Sequence, residues 1–552
     1  MKIFKITLFF LAINNIFGLV QTNLQFNHEG KTEELKKHLN ILGSDLFEGR
    51  GTGTEGGRLA AEYLSEEFAE LGLSPLGSNG TFHQYIPMHG SYPKDESELI
   101  LCNDDNNSNN ANSLKLFEEY ILLTGGDQTF TPTPLPLVFC GYGIIAPEFD
   151  YNDYQSVDVE GKIVVVLEGE PNSTDNNYFE AELPTIYSNA EAKKRLAISR
   201  GAAGIIIIPT LFYDPLFSWE QVIKNYSFES VSLAYSATSI LSILFNPKYA
   251  DLLFVNSSYS FDDVIDLHHS NSMSSFPLKR KLSFKGEFLQ RDFVASNIIG
   301  LIEGKDDQLK DSYIVVSAHY DHLGIGPAVE ADSIYNGVMD NAIGVAALLE
   351  IASSFNAGKI KPKRSIIFAL FTGEEKGLLG SRYYVDHPPV PLYKTIANVN
   401  IDGIAVFDKF KSIVGIGAEF STLSDFLKQT AAQNDLVISE IPNIFMSSEA
   451  FISSDQISFA NVGVPSILIY EGLDYENLTK EEGIAQFIDY NNNYYHTPKD
   501  DLSFDINYEA AIQHVKILQD FILNLANSCE APEWYENSPF INERLRSIAE
   551  KR

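Results

Sequence analysis

Cysteine is scarce in this chain. The 552 residues include three cysteines, Cys102, Cys140 and Cys529, and no two of them form a CxxC pair. Three cysteines allow one disulfide at most, so the sequence is not that of a disulfide-stapled scaffold. A zinc site made of thiolates is disfavoured too, because such sites use closely spaced cysteine pairs. Any metal site in this protein is therefore expected to use histidine and carboxylate side chains.

Positive charge is also in short supply. The chain has 40 Lys and Arg residues against 74 Asp and Glu residues, which gives a formal net charge of −34. Nucleic-acid binding needs a basic surface, so this balance predicts no nucleic-acid partner. It also argues against docking on anionic lipid. The simplest role of the acidity is to keep the protein soluble.

Long hydrophobic runs are missing except near the N-terminus. Lys2 and Lys5 precede an apolar stretch from about Ile6 to Val20, which Asn14 and Asn15 interrupt. The stretch is short and impure for a membrane span, and it fits a signal peptide at residues 1–20. An uncleaved anchor is the competing interpretation. We therefore expect an exported protein, periplasmic or extracellular, with no stable membrane insertion.

The predicted secondary structure changes twice along the chain. Short β-rich pieces dominate residues 131–285, which contain no cluster of histidines and carboxylates, and we interpret them as an inserted β-rich domain. Strands then alternate with helices from residue 286 onward, which is typical of a parallel or mixed sheet covered on both faces. The predicted division is 1–20 signal peptide, 24–130 first part of the larger domain, 131–285 insert, 286–528 second part of the larger domain, and 529–552 polar tail.

Histidines and acidic residues follow apolar, β-prone runs in the C-terminal half. His319 follows the run 313–318, the pair Glu374 and Glu375 follows 365–371, and Asp402 follows 396–401. Chemistry collects at the carboxyl ends of strands in open α/β sheets, so these groups are expected to converge. Asp340, which opens a predicted helix, and His496, in a turn-like segment, complete the set.

Each of these residues also has an ordinary interpretation. Asp340 could be a helix N-cap, and His496 could be a simple loop histidine. Together, however, two histidines and three carboxylates suit two divalent cations, with Asp340 shared between them. Imidazole with oxygen ligands favours zinc, although manganese or cobalt would also fit. Glu374 then stays free as a general base, and Tyr495 is placed to donate to a developing oxyanion.

The motifs resemble those of the M28 family of zinc peptidases. The matching strings are His319-Tyr320-Asp321, Met339-Asp340-Asn341-Ala342, Gly373-Glu374-Glu375 with Gly377-Leu378-Leu379-Gly380-Ser381, Asn400-Ile401-Asp402, and Tyr495-His496-Thr497-Pro498-Lys499-Asp500. Upstream, Glu48-Gly49-Arg50-Gly51-Thr52-Gly53 is similar to the N-terminal signature of members that carry an insert. The insert is itself similar to a protease-associated (PA) domain, at Phe139–Gly143 and Gly201–Gly204.

The resemblance implies a fold, an activity and a set of roles. The fold is a three-layer α/β/α sandwich with a mixed, mostly parallel sheet, in which 24–130 and 286–528 form the peptidase and 131–285 a PA-like domain. One zinc would bind His319 and Asp402, the other Glu375 and His496, and Asp340 would bridge them. Asp321 would brace His319, Glu374 would activate a metal-bridging water, and Tyr495 would steady the tetrahedral intermediate. The implied activity is that of an aminopeptidase acting on peptides with a free N-terminus.

Three other functions stay open at this point. They are a carboxypeptidase-like member acting on acidic peptides, a non-catalytic receptor-like binding protein of the same fold, and a one-zinc cyclase. The complete ligand set argues against the second, and the insert with the Glu374-Glu375 pair argues against the third. Two departures from the family pattern, Gly403-Ile404-Ala405 and Gln456, are expected near the substrate, where they would affect specificity. The preferred residue and the oligomeric state do not follow from the sequence.

Overall fold

The computed structural model describes residues 28–103, 111–123, 129–172, 178–179, 185, 187–210, 218–235, 240–356, 361–440 and 447–550. The predicted signal peptide, residues 1–20, lies outside this range. Within the described residues the strands form two principal sheets, which we call the large sheet and the small sheet.

The large sheet carries the site residues. From edge to edge its strands are Ser230–Leu233, His83–Pro93, Phe288–Ile302, Ser365–Phe371, Tyr313–His319, Thr395–Asn400, Ser466–Glu471, Ser412–Ile416 and Val437–Ile438, and the short strand Ser74–Pro75 pairs with Phe288–Ile302. The four strands from Ser365–Phe371 to Ser466–Glu471 run parallel. Their neighbours on both sides, Phe288–Ile302 and Ser412–Ile416, run antiparallel to them. All four parallel strands therefore end at the same edge of the sheet.

Helices cover both faces of the large sheet. Along the strand Tyr313–His319, Ile314, Val316 and Ala318 belong to the main core with the helices on one side, whereas Val315 belongs to a separate core on the other side. This alternation follows from the two-residue period of a strand. The helices of the main core are His28–Leu42, Glu55–Glu70, Ile343–Asn356, Leu423–Gln433 and Tyr508–Asn527, and the opposite core takes Leu379–Asp386 and Gln456–Ala460.

The predicted α/β class with a mixed sheet is confirmed. Parallel pairing is, however, limited to the central strands and the edge pair Ser412–Ile416 with Val437–Ile438, so the sheet as a whole is less parallel than the sequence suggested. Of the antiparallel strands, Phe288–Ile302, His83–Pro93 and Ser230–Leu233 come from the chain before residue 313, whereas Ser412–Ile416 comes after it. Their antiparallel direction cannot be inferred from local β-propensity, because propensity carries no information about pairing partners.

The small sheet is the additional β-rich region. Its strands, in order, are Asn112–Leu114, Glu98–Asn103, Phe276–Lys285, Leu135–Phe139, Ile163–Leu167, Gly204–Ile208, Leu241–Phe245 and Tyr120–Leu122, with the helices Ala190–Ser199, Asp251–Phe254 and Phe261–His269 nearby. Three of these strands precede residue 131, where the predicted insert begins. Conversely, Ser230–Leu233 lies inside the predicted insert but pairs with the large sheet. The domain division remains a prediction, and strand pairing places the start of the small sheet at Glu98.

Two further observations concern individual segments. The helix after the strand Ser365–Phe371 begins only at Leu379, because residues 374–378 form a turn in which the N–H groups of Gly377 and Leu378 donate to the Glu374 carbonyl. Among the described residues, one helical segment, Val338–Phe355, is long and apolar enough to span a bilayer, and 78% of it is buried inside the protein. Burial of this kind is what a core helix shows.

Candidate functional site

The candidate site lies at the carboxyl edge of the parallel strands. His319 ends its strand, Glu374 and Glu375 follow the neighbouring strand by three and four residues, and Asp402 follows the third strand by two. Asp340 lies in the turn before the helix Ile343–Asn356. His496 comes from the loop after the helix Lys480–Asn493. The structure thus brings together all five predicted metal ligands from five separate segments.

Asp340 lies at the centre of the group. Its Oδ1 is 3.3 Å from Nε2 of His319, and its Oδ2 is 3.3 Å from Nε2 of His496. A second carboxylate faces each histidine, with Asp402 Oδ1 3.1 Å from His319 Nε2 and Glu375 Oε2 3.1 Å from His496 Nε2. The site therefore has two similar halves, each with one imidazole and one carboxylate, joined by the two oxygens of one aspartate.

This donor set fits a pair of cations. The ring nitrogen and carboxylate oxygens of each half lie within 4.8 Å of one another, which is close enough to share an ion. In His319, Nδ1 lies 3.1 Å from the backbone carbonyl of Asp321, so it carries the proton and leaves the Nε2 lone pair facing two carboxylates. Lone pairs and negative oxygens repel each other unless a proton or a metal ion lies between them.

The pKa values of these groups also indicate that positive charge is favoured between the histidines and the carboxylates. Burial alone would lower the pKa of His319, but Glu374, Asp402 and Asp340 together raise it well above its usual value. Burial alone would raise the pKa of Glu375, but His496 and His322 lower it to about 2. Positive charge at the imidazoles is thus strongly favoured, and a divalent cation is a better source of that charge than a proton.

Glu374 differs from the other acids in lacking a protein partner. Its carboxylate makes no hydrogen bond or ion pair with any described residue, although it lies within the 4.8 Å group that includes His319 and Glu375. Burial, together with Glu375, Asp402 and Asp455, raises its pKa well above the usual value, against the opposing effect of His319. A partly exposed carboxyl with high proton affinity is suited to accept a proton.

Asp321 acts differently from the expected brace. Its carboxylate is 4.0 Å from His319 Nδ1, whereas its backbone carbonyl is 3.1 Å away. The carboxylate instead accepts hydrogen bonds from Thr52 Oγ1 at 2.8 Å and from the backbone N–H of Glu374 at 3.2 Å. Asp321 therefore orients His319 through its main chain and ties the Glu374 turn to the N-terminal segment through its side chain.

His322 was not singled out from the sequence as a site residue. Its Nδ1 lies 2.7 Å from Oε1 of Glu375, and the ring is fully buried. A donor there fixes one oxygen of Glu375 and leaves Oε2 to face His496. A second histidine in the string 319–322 could have been predicted as a site residue. It was not, because His319 and Asp321 alone explained the motif as a ligand and its partner.

Arg50 supports the site from the N-terminal segment. Its guanidinium is fully buried and donates to the carbonyls of Tyr320 at 2.7 Å, Leu42 at 2.7 Å, Asn336 at 2.6 Å and Gly337 at 2.8 Å. Two of these carbonyls belong to the segments that carry His319 and Asp340. The motif that contains Arg50 thus holds the ligand-bearing loops in place.

Glycine is required in the same motif. Gly49 has a φ of +66°, and a Cβ at this position would lie 2.2 Å from the carbonyl oxygen of Tyr335. The chain approaches its neighbour too closely here for any side chain. Gly49 therefore serves a tight turn and close packing in this motif.

Asp500 links the last ligand to the bridging one. Its carboxylate accepts the backbone N–H groups of Met339 at 2.9 Å and of Asp340 at 3.1 Å. Asp500 lies four residues after His496, so one loop supplies a ligand and also fixes the turn of Asp340. Burial raises the pKa of Asp500 to about 6, and the two N–H groups and His322 oppose that rise.

Tyr495 and the two predicted departures take different positions. The ring of Tyr495 stacks on His496 with centroids 3.9 Å apart, and the residue is 40% exposed. The Gly403 N–H donates a hydrogen bond to Asn341 Oδ1, and Gly403 is partly exposed near Asp402. Gln456 is fully buried and accepts from Asn400 Nδ2, while donating to the carbonyls of Ala450 and Phe451. Gln456 is therefore a buried packing residue beside the strand end that carries Asp402.

Comparison with known proteins agrees with this geometry. A family model described as peptidase family M28 matches residues 297–522. A probable zinc metalloprotease of Pyrenophora tritici-repentis is 33% identical over 107 residues, which cover 19% of this chain and 24% of that protein. An aminopeptidase of Mus musculus is 34% identical over 118 residues, which cover 20% of this chain and 14% of that protein. The matches thus span a quarter or less of these relatives.

A solved structure extends the likeness to the whole fold. The aminopeptidase from Aneurinibacillus sp. strain AM-1 superposes with a TM-score of 0.54 at 17% identity, covering 91% of this chain and 95% of that one. At this identity the likeness concerns the fold alone. The superposition reaches beyond residues 297–522 and takes in strands of the small sheet, because it covers 91% of this chain.

Proposed function

We propose that this chain is an exported di-zinc exopeptidase that removes N-terminal residues from peptides, because residues 297–522 match the model of peptidase family M28. The proposal rests on one observation above all. The two oxygens of Asp340 face two different histidines, and each histidine has its own second carboxylate. Export rests on the sequence pattern of residues 1–20, which lie outside the described part of the chain.

The proposed ligands follow this arrangement. His319 and Asp402 would hold one zinc, Glu375 and His496 the other, and Asp340 would bridge them. Zinc in such a site supplies Lewis acidity, which polarises the substrate carbonyl and makes bound water more acidic. His322 and the Asp321 carbonyl keep Glu375 and His319 in the orientation that ligation needs.

The other residues move protons and stabilise charge. Glu374 would take a proton from the water that attacks the peptide carbonyl carbon, and would then give that proton to the leaving amine as the C–N bond breaks. The hydroxyl of Tyr495, at the exposed rim beside His496, would donate to the oxygen that becomes negative. The backbone N–H of Glu374 is held by Asp321, so the base keeps its place during both transfers.

The test is the variant Glu374→Gln, assayed with zinc on matched peptides with free and acetylated N-termini. General-base catalysis contributes roughly 10²–10⁴ in rate, so we expect a loss of that size with unchanged zinc content. The control is Glu350→Gln, a buried glutamate outside the ligand set that pairs with Lys31 on the helical flank. Undiminished turnover in Glu374→Gln would remove Glu374 from its role, and equal cleavage of acetylated peptides would refute aminopeptidase action.

The competing functions make different predictions in the same assay. A receptor-like protein would show no turnover even when fully loaded with zinc, although the presence of Glu374 and all five ligands argues against it. A carboxypeptidase-like enzyme would accept acetylated peptides and require a free C-terminus. Capping each end of the same peptide therefore separates the three functions.

A further inference from the structure

A cavity of about 180 Å³ lies directly beside the candidate metal centre. Its walls come from segments that also build the site. Thr52 lines the cavity and donates to Asp321, Leu323 follows His322 in sequence, and Lys376 follows Glu375. A group bound in this cavity would therefore contact segments that also carry residues of the site.

Lys376 is the cation of this cavity. Its ammonium lies 5.2 Å from the centre of the Phe228 ring, and it forms no hydrogen bond or ion pair with any residue that the structure describes. A cation over an aromatic face keeps its N–H donors available to a second partner.

Burial lowers the pKa of Lys376 and the nearby carboxylates of Glu375, Asp321 and Glu229 raise it, but none of these three bonds its ammonium directly. Glu229 lines the wall, but both its oxygens bind the guanidinium of Arg291, one of them at 2.7 Å from Nε. Glu48 is the one remaining carboxylate among the lining residues. The rest of the wall includes the apolar side chains of Phe228, Leu323 and Ile325.

We propose that this cavity is a substrate subsite in which Lys376 binds a carboxylate of the peptide, with the apolar walls packing against its methylene groups. The inference rests on the proposed peptidase function and adds a substrate class to it. The carboxylate comes either from an acidic side chain next to the cleaved bond or from the free C-terminus of a short peptide. A charge-assisted hydrogen bond in a partly dry cavity discriminates strongly against the neutral amide.

The experiment uses the zinc-loaded full chain and the variants Lys376→Met and Lys376→Arg. The substrates are peptides with Glu or Gln on either side of the scissile bond, each with a free or an amidated C-terminus. For the wild type we expect kcat/KM to be at least about tenfold higher for the carboxylate-bearing peptide, through a lower KM, since tenfold corresponds to one good polar contact. Lys376→Met should lose this preference and hydrolyse neutral peptides normally, and Lys376→Arg should keep it.

The design separates the sources of the carboxylate and the competing explanations. If the effect follows Glu against Gln, the side chain binds; if it follows amidation, the C-terminus binds. Lys279→Met, an exposed lysine on the small sheet, is the matched control. Equal losses on neutral and acidic peptides in Lys376→Met, or a wild-type preference for lysine-containing peptides directed by Glu48, would overturn the proposal.

A binding measurement keeps this inference distinct from the peptidase proposal. Calorimetric titration with glutarate, a small dicarboxylate, reports the cavity without any turnover. Binding that Lys376→Met weakens at least about tenfold supports the subsite even for a protein that cleaves nothing. Normal peptide hydrolysis without carboxylate preference and without glutarate binding refutes the subsite while leaving the peptidase function intact.

Discussion

At the scale of single residues, Arg50 shows how a buried charge can serve a site it does not enter. Its guanidinium bonds four main-chain carbonyls, and burial lowers its pKa to about 10 against the opposing pull of Asp500, Asp340, Asp321 and Glu375. At neutral pH it stays positive. The acidic centre therefore has a permanent neighbouring cation as well as a mechanical brace.

Replacing Arg50 by Lys tests both contributions. Lysine keeps the charge but cannot reach four carbonyls, and each buried acceptor left unsatisfied costs roughly 1–3 kcal/mol. We expect a loss of about 3 kcal/mol or more in the free energy of unfolding, measured with urea, together with weaker zinc binding.

Arg364 provides the matched control for that prediction. It is also buried, and it donates to the carbonyls of Ser528 and Cys529, next to the amino end of the strand Ser365–Phe371 and so away from the site. Arg364→Lys should reduce stability but leave the zinc dissociation constant unchanged. If both variants weakened zinc binding equally, Arg50 would have no special link to the centre.

At the scale of elements, the helix Tyr508–Asn527 is locked to the strand ends by His514. The ring is fully buried, with Nδ1 accepting from the Ala405 N–H at 2.9 Å and Nε2 donating to the Ile469 carbonyl at 3.0 Å. Only the neutral imidazole can make both hydrogen bonds, because a protonated ring has no nitrogen left to accept from Ala405. Burial accordingly lowers the pKa of His514 to about 4, with the Ile469 contact opposing that effect.

This arrangement predicts acid sensitivity of a defined sign. The unfolded chain, with a histidine pKa near 6.5, takes up the proton before the folded protein does. The stability that His514 confers is complete above pH 6.5 and is lost as the pH falls towards 4. We expect about 2 kcal/mol of this loss between pH 7.5 and pH 5.

His514→Gln is the variant that isolates this contribution. Glutamine can accept from Ala405 and donate to Ile469 without titrating. Urea unfolding of both proteins at pH 7.5 and pH 5 should show a smaller drop for the variant. An equal drop in the two proteins would mean that other groups cause the acid sensitivity.

The elements around the site were predictable from sequence to different degrees. The strand Ser365–Phe371 follows from a continuous run of buried, β-prone residues. The ligands at the strand ends were predictable because such runs stop where polar side chains begin. The bracing by Arg50 and Asp500 was not, because it joins residues hundreds of positions apart through main-chain atoms, whose positions no side-chain pattern encodes. The same holds for the pairing of Ser230–Leu233 with His83–Pro93.

At the scale of the whole molecule, the site joins the N-terminal segment, the parallel strands and the C-terminal loop. Ions bound there would connect Asp340, Asp402, Glu375 and the two histidines from widely separated parts of the chain. A ligand that binds only the folded protein adds stability in proportion to its occupancy, about 2.7 kcal/mol at a free concentration one hundred times its dissociation constant. Metal content should therefore govern global stability as well as activity.

Chelation tests that link. Treatment with a strong chelator should abolish activity and lower the melting temperature, and added Zn²⁺ should restore both. Asp340→Asn, which removes one of the shared negative oxygens, should retain less zinc and lose the zinc-dependent rise in melting temperature. If neither chelator nor added zinc changed the melting temperature of the wild type, the assignment of ions to this centre would be contradicted.

The double duty of the loop at residues 496–500 has one more consequence. His496 faces Asp340 and Glu375, while Asp500 holds the two amide groups that set the direction of the Asp340 carboxylate. When one cation binds His496 and orders this loop, Asp500 also fixes the Asp340 carboxylate, which is a ligand for the second cation. Loading should be cooperative, and intermediates with a single ion should be scarce during titration.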